Sequence, residues 1–390
     1  MKHEEWVDGE LAELKREGLL RECAAYSDCG PIVRADGRAC LNLSSNDYLG
    51  LTKDARLARA AARALGAFGS GATASRLVVG TLDCHVELEG RLAVLKGYPA
   101  ALLFGSGYLA NIGTLAAIAG RGDRVFADRL CHASIVDGIT ASRARRTRFN
   151  HNDPQHLRTL MAKCPAAGRK VVVTESVFSM DGDVAPLGEI ASVCAEQSAM
   201  LMVDEAHATG VFGDGGAGRV RELGLESEVN ISMGTLSKAL GGYGGFVACS
   251  RRMRDLLLNR ARSFVYSTAL PPCMAGVALA ALDVLKTSPE MGAALRQRAS
   301  AFRANLQAAG LNTGGSMSQI VPVIVGDAGK AMAFSARLRR EGILGVAIRP
   351  PTVPAGSARI RFSVTLAHSR EQLAEAADTI VRCARQEGLL

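Results

Sequence analysis

Runs of apolar residues that end in polar or small residues recur along the chain, and segments with helical spacing separate them. Four such runs lead into a turn: Ala101–Phe104, the run that begins at Arg124, Lys170–Glu175 and Ala199–Asp204. A continuous apolar run is typical of a strand that is buried on both faces of a parallel sheet. Strands that alternate with helices therefore predict an α/β fold with a mostly parallel sheet.

The same patterns divide the chain of 390 residues into an arm and two domains. Helical spacing over residues 4–25 predicts a helix in an N-terminal arm, residues 1–45, which packs on the body of the protein or on a partner subunit. Residues 46–280 form the predicted large domain. A helix from about 271 to 309, opened by two prolines, leads into a smaller α+β domain at 281–390.

The composition is typical of a soluble globular protein, with 48% hydrophobic and 22% charged residues. The net charge of +8 suits an anionic substrate, such as one that bears phosphate, or an acidic protein partner. Nucleic-acid binding is not expected, because no basic cluster is interleaved with aromatic residues. The densest basic patch, Arg143–Arg148, is interpreted as a solvated face.

The ten cysteines show neither CxxC pairs nor regular spacing, so we expect no disulfide framework and no metal site. A reducing cytoplasm is the compartment that this usage favours. The N-terminal stretch carries acids throughout and lacks the apolar core of a signal peptide. The longest apolar run, Met274–Leu282, is too short to span a membrane.

Lys238 is the first candidate for chemistry, because it lies in an unusual stretch at 231–246. Thr235 and Ser237 precede it, and four glycines follow it. A lysine that forms a Schiff base must be confined and must lose its proton readily. Glycines let the backbone approach a bulky cofactor closely, and the Thr235 hydroxyl could bind a phosphate. The alternative is an ordinary lysine in a solvated loop.

Asp204 is the second candidate, because it ends an apolar run. Ligands of open α/β sheets bind at the carboxyl ends of the strands. A carboxylate at that place is the partner that a protonated pyridine nitrogen requires. The alternative is a helix N-cap after the strand. An apolar strand that ends in Asp204-x-x-His207, followed by Thr235-x-x-Lys238, resembles the pyridoxal 5′-phosphate (PLP) enzymes of fold type I.

Three further places could contribute to such a site. The turn after Phe104 leads into a helix whose first amide groups could bind the cofactor's phosphate, or it is a plain connection. His132, just past a strand, could stack on a flat cofactor or serve as a structural hydrogen-bonding residue. Arg359 and Arg361 lie on the same face of a predicted strand. An arginine fork there suits a substrate carboxylate, and surface salt bridging is the alternative.

Several motifs together carry a more specific resemblance: SSNDYLGL, SGYLAN, DRLCHASI, TESVFSMDGD, VDEAHATG, GTLSKALGGYGG and FVYSTALPP. They resemble those of the α-oxoamine synthases, PLP enzymes that condense an amino acid with an acyl thioester and release CO2. The resemblance extends from about Leu41 to His368. The segment IRPPTVPAGSARIRF narrows it to the biotin-pathway member, whose substrates are L-alanine and pimeloyl-CoA or a pimeloyl carrier protein.

The resemblance implies a role for each of several residues. Lys238 carries the cofactor as a Schiff base, Asp204 pairs with the pyridine nitrogen, and His132 stacks on the ring. These three are the implied catalytic residues. Further cofactor contacts are implied for Gly107, Tyr108, Ser179, His207 at the phenolic oxygen, Thr235 and Ser267. Ser267 would reach the phosphate of the neighbouring subunit's cofactor, which implies a homodimer. Substrate contacts are implied for Arg21, Asn46, His132, Thr352 and Arg361, the last of them to the amino-acid carboxylate.

The sequence leaves three other interpretations of the protein's function open. A sister synthase would use another amino acid or acyl chain. An inactive partner subunit would lack the lysine, whereas Lys238 is present. A non-enzymatic nucleotide binder would carry GxGxxG after its first strand, and this chain does not.

Overall fold

The computed structural model describes residues 4–35, 37–164 and 167–390. Its first elements, in chain order, are α1 (Glu5–Arg16), β1 (Ile32–Ala35), β2 (Arg38–Asn42), α2 (Ala55–Phe68) and α3 (Asp83–Lys96). Strands β1 and β2 form an antiparallel hairpin. Parts of the predicted arm, residues 1–3 and residue 36, lie outside the described residues.

The arm helix is shorter than the spacing predicts, because it ends at Arg16 rather than near residue 25. Gly18 has a φ of 67°, which favours glycine. The Leu19 N–H donates to the Leu14 carbonyl at 2.7 Å, and the Gly18 N–H donates to Lys15 at 3.1 Å. These bonds close a Schellman motif, which stops the helix. No residue of α1 is buried, so the predicted packing on the body is absent and packing on a partner stays a prediction.

A seven-stranded sheet forms the centre of the fold. The elements of this part follow in chain order: β3 (Ala100–Phe104), α4 (Gly107–Ile118), β4 (Arg124–Asp128), α5 (Ala133–Ser142), β5 (Arg145–Phe149), α6 (Pro154–Ala162), β6 (Lys170–Glu175), α7 (Leu187–Glu196), β7 (Met200–Asp204), α8 (Arg219–Glu222), β8 (Ile231–Thr235), β9 (Gly245–Cys249), α9 (Arg251–Arg260) and α10 (Arg262–Val265). The strand order is β3-β9-β8-β7-β6-β4-β5.

The direction of the strands confirms the predicted α/β fold with a mostly parallel sheet. Strands β4 to β8 are parallel, and β9 runs antiparallel to both β8 and β3. The carboxyl ends of β4, β6, β7 and β8 therefore meet at one edge of the sheet. Strand β5 is one of the two outer strands, and it exposes Arg145, Arg146 and Arg148, which confirms the solvated basic face.

The predicted continuous helix from about 271 to 309 is two helices, α11 (Pro272–Thr287) and α12 (Met291–Ala308). Pro289 lies between them. Proline has no backbone N–H, and it disfavours helical geometry at the residue before it, here Ser288. The expected opening by proline is confirmed, because Pro272 is the first residue of α11.

The C-terminal part contains β10 (Ile320–Gly326), α13 (Ala328–Arg340), β11 (Ile343–Leu344), β12 (Val346–Ile348), β13 (Ala358–Ser363) and α14 (Arg370–Gln386). An antiparallel sheet of order β10-β13-β12 carries the fully buried β13 in its middle. Strand β11 instead pairs in parallel with β2, so the N-terminal hairpin and the C-terminal part share a sheet. The domain boundaries stay a prediction.

Among the described residues, none of the helices combines the length and the apolar character needed to cross a bilayer.

Candidate active site

Lys238 lies on a tight loop between β8 and β9. The Thr235 hydroxyl donates to the Gly244 carbonyl at 2.8 Å, and the Leu236 N–H donates to the same carbonyl at 3.0 Å. Gly244 has a φ of 129°, a conformation that side chains other than glycine rarely adopt. The glycines after the lysine therefore serve to close this loop, which holds Lys238 next to the edge of the sheet.

The surroundings of Lys238 lower the pKa of its amine. Burial lowers the pKa of the Lys238 ammonium group, while the carboxylates of Asp204 and Glu175 act against this. Arg361 lies close enough to add to the lowering. Burial therefore outweighs the nearby acids, and the amine can lose its proton more readily than an exposed lysine can. This is the property that a Schiff-base lysine needs.

Asp204 is the last residue of β7 and is buried. Its Oδ2 atom accepts a hydrogen bond from Asn111 Nδ2 at 2.8 Å, and its Oδ1 atom accepts one from the Ala206 N–H at 2.8 Å. Residues 205–211 form turns, so Asp204 does not cap a helix. The alternative interpretation from the sequence is therefore wrong, and the carboxylate is free to serve a ligand at the sheet edge.

His132 is held at its backbone and at one ring nitrogen. Its N–H donates to Glu175 Oε1 at 2.6 Å, and its Nδ1 lies 2.8 Å from Ser134 Oγ. Partial desolvation lowers the pKa of His132, and the nearby Asp204 acts against this. Burial, followed by the nearby Asp204, raises the pKa of Glu175 well above its ordinary value. His132 nevertheless retains exposed surface, so a ligand can reach it.

The hydroxyl of Tyr48 links His207 and Arg361 through hydrogen bonds. The Tyr48 hydroxyl lies 2.6 Å from His207 Nδ1 and 3.3 Å from Arg361 Nη2. Arg361 also donates from Nη2 to Asn46 Oδ1 at 3.2 Å and from Nε to the Ser179 carbonyl at 2.6 Å. The structure therefore brings together four residues that the sequence indicates, Asn46, Ser179, His207 and Arg361, and adds Tyr48.

Arg359 points to the same segment as Arg361, which confirms that both lie on one face of β13. Its buried guanidinium forms an ion pair with the partly exposed Asp181 and donates to the Met180 carbonyl at 3.4 Å. The salt bridge that the sequence left open is therefore present, with its arginine buried rather than at the surface. It fixes the 179–181 loop against the C-terminal sheet, next to Arg361.

Gly107 and Tyr108 begin α4, where the first backbone N–H groups have no partner within the helix. A side chain at Gly107 would place its Cβ 2.9 Å from Met233 Cε, so the backbone approaches β8 closely. The Tyr108 hydroxyl donates to Asp137, and its ring stands edge-on to His132 at 6.5 Å between centroids. Both residues thus adjoin the place where Thr235 and His132 lie.

Arg21, Thr352 and Ser267 lie in other clefts. Arg21 Nη2 is 3.3 Å from Thr352 Oγ1, and both line a cleft of about 630 Å³ between the arm and the C-terminal sheet. Arg349 connects the two sides of this cleft, because its guanidinium donates to the Leu20 carbonyl of the arm at 2.9 Å. Ser267 lines a small cleft with Gly105, next to the start of α4.

Three residues of the site were missed by sequence reasoning: Tyr48, Asn111 and Glu175. Glu175 ends β6 as Asp204 ends β7, and the two are paired in register. That shared position at the ends of neighbouring strands is a signal that could have identified Glu175. Tyr48 and Asn111 lie within recognised motifs, but neither motif shows which residue its polar group contacts.

Comparison with known proteins identifies the family of this site. The sequence model of aminotransferase class I and II matches residues 38–380. The chain belongs to the aminotransferase class I and II family. A relative in Geobacter sulfurreducens, 8-amino-7-oxononanoate synthase, is 48% identical over 389 residues, which cover 98% of this chain and 99% of that protein. A second, of the same name in Anaeromyxobacter dehalogenans, is 50% identical and covers 95% and 93%.

Solved structures of the family agree with the fold. A serine palmitoyltransferase from S. paucimobilis with bound PLP and myriocin has a TM-score of 0.93, is 31% identical and covers 100% of this chain and 99% of that one. An 8-amino-7-oxononanoate synthase from Francisella tularensis has a TM-score of 0.77, is 29% identical and covers 90% and 99%. These similarities confirm the fold-type I architecture.

The cofactor of this family is PLP, and the residues of the site fit its groups. Lys238 offers an amine of lowered pKa for the aldehyde, and the buried Asp204 offers a carboxylate for the pyridine nitrogen. The start of α4 at Gly107 offers backbone N–H groups for the phosphate. His207 offers a neutral ring for the phenolic oxygen, because burial lowers its pKa well below the ordinary value. The individual contacts stay predictions.

Proposed function

We propose that this protein is a PLP-dependent acyltransferase that condenses L-alanine with a pimeloyl thioester and releases CO2 and the thiol. The product would be 8-amino-7-oxononanoate, a precursor of biotin. The observation that carries the proposal is the confined amine of Lys238 beside the buried carboxylate of Asp204, in a chain 48% identical to a protein of that name.

Lys238 is the general base in this proposal. A base works best when its pKa is near the operating pH, and burial lowers the pKa of Lys238 in that direction. Its amine can therefore take the Cα proton of the amino acid and return it at the end of the reaction. PLP, when bound, supplies the electron sink that stabilises the resulting negative charge. Asp204 would hold the pyridine nitrogen in its protonated form, and its carboxylate is fixed by Asn111 and the Ala206 amide.

Arg361 binds the carboxylate of L-alanine. Its Nε and Nη1 atoms are fixed by the Ser179 carbonyl at 2.6 Å and by Ser363 Oγ at 2.8 Å. Its Nη2 atom makes only long contacts, 3.2 Å to Asn46 and 3.3 Å to Tyr48. A carboxylate can replace these long contacts with a shorter, charge-assisted bond. The guanidinium would thereby set the orientation of the bond to CO2 that breaks.

The acyl donor would enter from the cleft that Arg21 and Thr352 line, where both side chains are exposed. Arginine suits an anionic group of the thioester substrate. The net charge of +8 fits either coenzyme A or an acidic carrier protein. Both donors therefore belong in the assay of this proposal.

A homodimer completes the proposal, with Ser267 reaching the phosphate of the partner's cofactor. Large apolar side chains are exposed beside this residue: Val78 is 72% exposed, Val79 67% and Tyr266 71%. A bridge between Ser75 and Thr268 holds the two loops together. Large apolar side chains exposed on two joined loops are a candidate protein–protein interface. The cytoplasm is the compartment that we propose, because the spacing of the cysteines along the sequence indicates no disulfide framework.

The proposal is tested by incubating the purified protein with PLP and each pair of amino acid and thioester. Glycine, alanine and serine are combined with pimeloyl-CoA, a pimeloyl carrier protein and palmitoyl-CoA, and products are identified by mass spectrometry. We expect 8-amino-7-oxononanoate from alanine and a pimeloyl donor at the highest kcat/KM. A preference for serine and palmitoyl-CoA would contradict the proposal and favour the activity of the serine palmitoyltransferase neighbours.

A further inference from the structure

The hydroxyl of Tyr48 lies within hydrogen-bond distance of three polar side chains. It lies 2.6 Å from His207 Nδ1, 3.1 Å from Asn46 Oδ1 and 3.3 Å from Arg361 Nη2. Tyr48 has no exposed surface, and its ring lies 5.9 Å from that of His207. A buried hydroxyl has a single proton to donate and two lone pairs that accept. The direction of the shortest of these bonds therefore depends on what the other neighbours donate.

The neighbours of Tyr48 favour one direction for its shortest hydrogen bond. Arg361 can only donate, so it takes one lone pair of the Tyr48 oxygen. Asn46 Oδ1 already accepts from Arg361 Nη2. Because Arg361 already donates to its oxygen, Tyr48 has its proton available for His207 Nδ1, which lies closer, at 2.6 Å, than Asn46 Oδ1 does, at 3.1 Å.

The protonation states of both rings are compatible with this direction. Burial raises the pKa of Tyr48, so the phenol keeps its proton. Burial, followed by the positive charges of Lys238 and Arg361, lowers the pKa of His207 well below the ordinary value. The imidazole is therefore neutral and has one nitrogen that can accept. The carbonyl of His207 is fixed separately, because Gln319 Nε2 donates to it at 2.9 Å.

We propose that Tyr48 is a positioning residue that donates its hydroxyl to His207 Nδ1, so that the neutral ring carries its proton on Nε2 and presents an N–H donor to the phenolic oxygen of PLP. The inference rests on the proposed cofactor contact of His207. Which nitrogen of a histidine carries the proton is set by the hydrogen bond of the other nitrogen. Because Arg361 donates to the same hydroxyl, the residue proposed to bind the substrate carboxylate lies two hydrogen bonds away from His207.

The first test uses the unmodified apoenzyme and needs neither activity nor cofactor. The protein is labelled with 15N-histidine, and the ring nitrogens of its seven histidines are observed by NMR near neutral pH. A His207→Gln variant assigns the signals of His207. We expect a protonated Nε2 and an unprotonated Nδ1 that is shifted by an accepted hydrogen bond. A proton on Nδ1 of His207 would overturn the proposal.

The second test compares Tyr48→Phe with Tyr98→Phe. Tyr98 is a matched control, since it is also buried and its hydroxyl donates to the Val229 carbonyl at 2.9 Å, away from the site. Tyr48→Phe should mix the two tautomers of His207 in the apoenzyme. In the PLP-loaded enzyme, it should shift the visible absorption band and lower kcat by up to about tenfold, the size of one hydrogen bond. Tyr98→Phe should change none of these.

Thermal unfolding of each variant shows whether the fold persists, and the spectrum of the unmodified apoenzyme remains decisive if Tyr48→Phe is unstable. Unchanged nitrogen signals and an unchanged absorption band in a folded Tyr48→Phe would contradict the proposal. The apoenzyme spectrum also separates this inference from the proposed function. A protein that fails to make 8-amino-7-oxononanoate can still show the predicted tautomer, and an active enzyme can show the other one.

Discussion

Asn111 donates its side-chain amide to Asp204, over 2.8 Å between Nδ2 and Oδ2. The two residues lie 93 positions apart, on α4 and at the end of β7. The same amide nitrogen lies 2.9 Å from Ser134 Oγ, which in turn contacts His132. One amide therefore connects the carboxylate expected at the pyridine nitrogen with the histidine expected to stack on the ring.

Replacing Asn111 by leucine should weaken PLP binding by at least about tenfold. A hydrogen bond to a charged group contributes about 1.5–3 kcal/mol, and one tenfold change corresponds to about 1.4 kcal/mol. Titration of the apoenzyme with PLP, followed by absorption, measures the effect. Thr114→Val is the control, one turn further along α4, because the buried Thr114 hydroxyl has no partner among the described residues. Equal PLP affinity in Asn111→Leu and the parent would refute the role.

Lys96 and Glu205 form a buried ion pair behind the site, with 2.5 Å between Nζ and Oε2. Ser232 Oγ and the Val220 N–H also donate to this carboxylate, at 2.8 and 2.9 Å. Lys96→Met should lower the free energy of unfolding by about 3–5 kcal/mol, because Glu205 would remain buried without its cation. Denaturant unfolding of the apoenzyme measures the loss.

Two further variants separate the loss of the pair from the loss of one partner. The double variant Lys96→Met, Glu205→Gln should recover much of the stability, because no buried charge is then left alone. Lys53→Met removes the cation of an exposed pair with Asp28, so it should cost much less stability than Lys96→Met. Equal losses from Lys96→Met and Lys53→Met would contradict this prediction, because the buried pair would then contribute no more to the free energy of unfolding than the exposed pair does.

His151 should make stability depend on pH in the alkaline range. Its ring lies between Asp128, at 3.0 Å from Nδ1, and Asp183, at 2.7 Å from Nε2. Burial acts to lower its pKa, but the two carboxylates prevail and raise the pKa to about 10. In the unfolded chain the pKa is about 6.5. A raised folded pKa gives stability that is fully present below the unfolded value and is lost as the pH rises through about 10.

The check is denaturant unfolding between about pH 6 and pH 10, where the protonation of His151 differs between the folded and unfolded chains. The unmodified protein should lose stability steadily over this range relative to His151→Gln. The control is His156→Gln, whose ring nitrogen accepts a backbone N–H from Asn150 at 2.9 Å. Parallel curves for the unmodified protein and His151→Gln would refute the assignment.

Changing Arg361 to lysine should separate the two substrates. Lysine keeps the charge but loses the planar fork, and the expected loss in alanine affinity is at least about tenfold. The KM for the pimeloyl thioester should change much less. Arg303→Lys provides a control, because Arg303 is also partly buried and donates to the Ser318 carbonyl at 3.3 Å. Weakened thioester binding with intact alanine binding would assign Arg361 to the wrong substrate.

The sequence predicts those parts of the site that depend on position along the chain. Asp204 and the strand before it are recognisable, because an apolar run that ends in an acid is a local pattern. Lys238 is recognisable from the glycines that follow it, since they close its loop. The starts of the arm helix and of the helix at Pro272 are predicted correctly. Their ends are not, because they depend on Gly18 and Pro289, whose effects the spacing of apolar residues does not include.

The hydrogen-bond partners could not be predicted, because they join residues that are distant along the chain. Tyr48 and His207 are separated by 159 positions, and Asn46 and Arg361 by 315. A polar residue in a motif shows that a contact is needed, but only the packing of the C-terminal sheet against the loop after β2 shows which one. The same holds for Lys96, a residue of a helical pattern whose buried partner is Glu205.

The central claim is that Lys238 carries the cofactor and acts as the base. Reduction of the PLP-loaded protein with borohydride fixes the cofactor to the amine that holds it, and peptide mass mapping then locates the added mass. The account predicts that the mass lies on Lys238, and that Lys238→Ala folds, carries no such mass and forms no product. A cofactor mass on a different lysine, or product formation by Lys238→Ala at a rate near that of the unmodified protein, would contradict it.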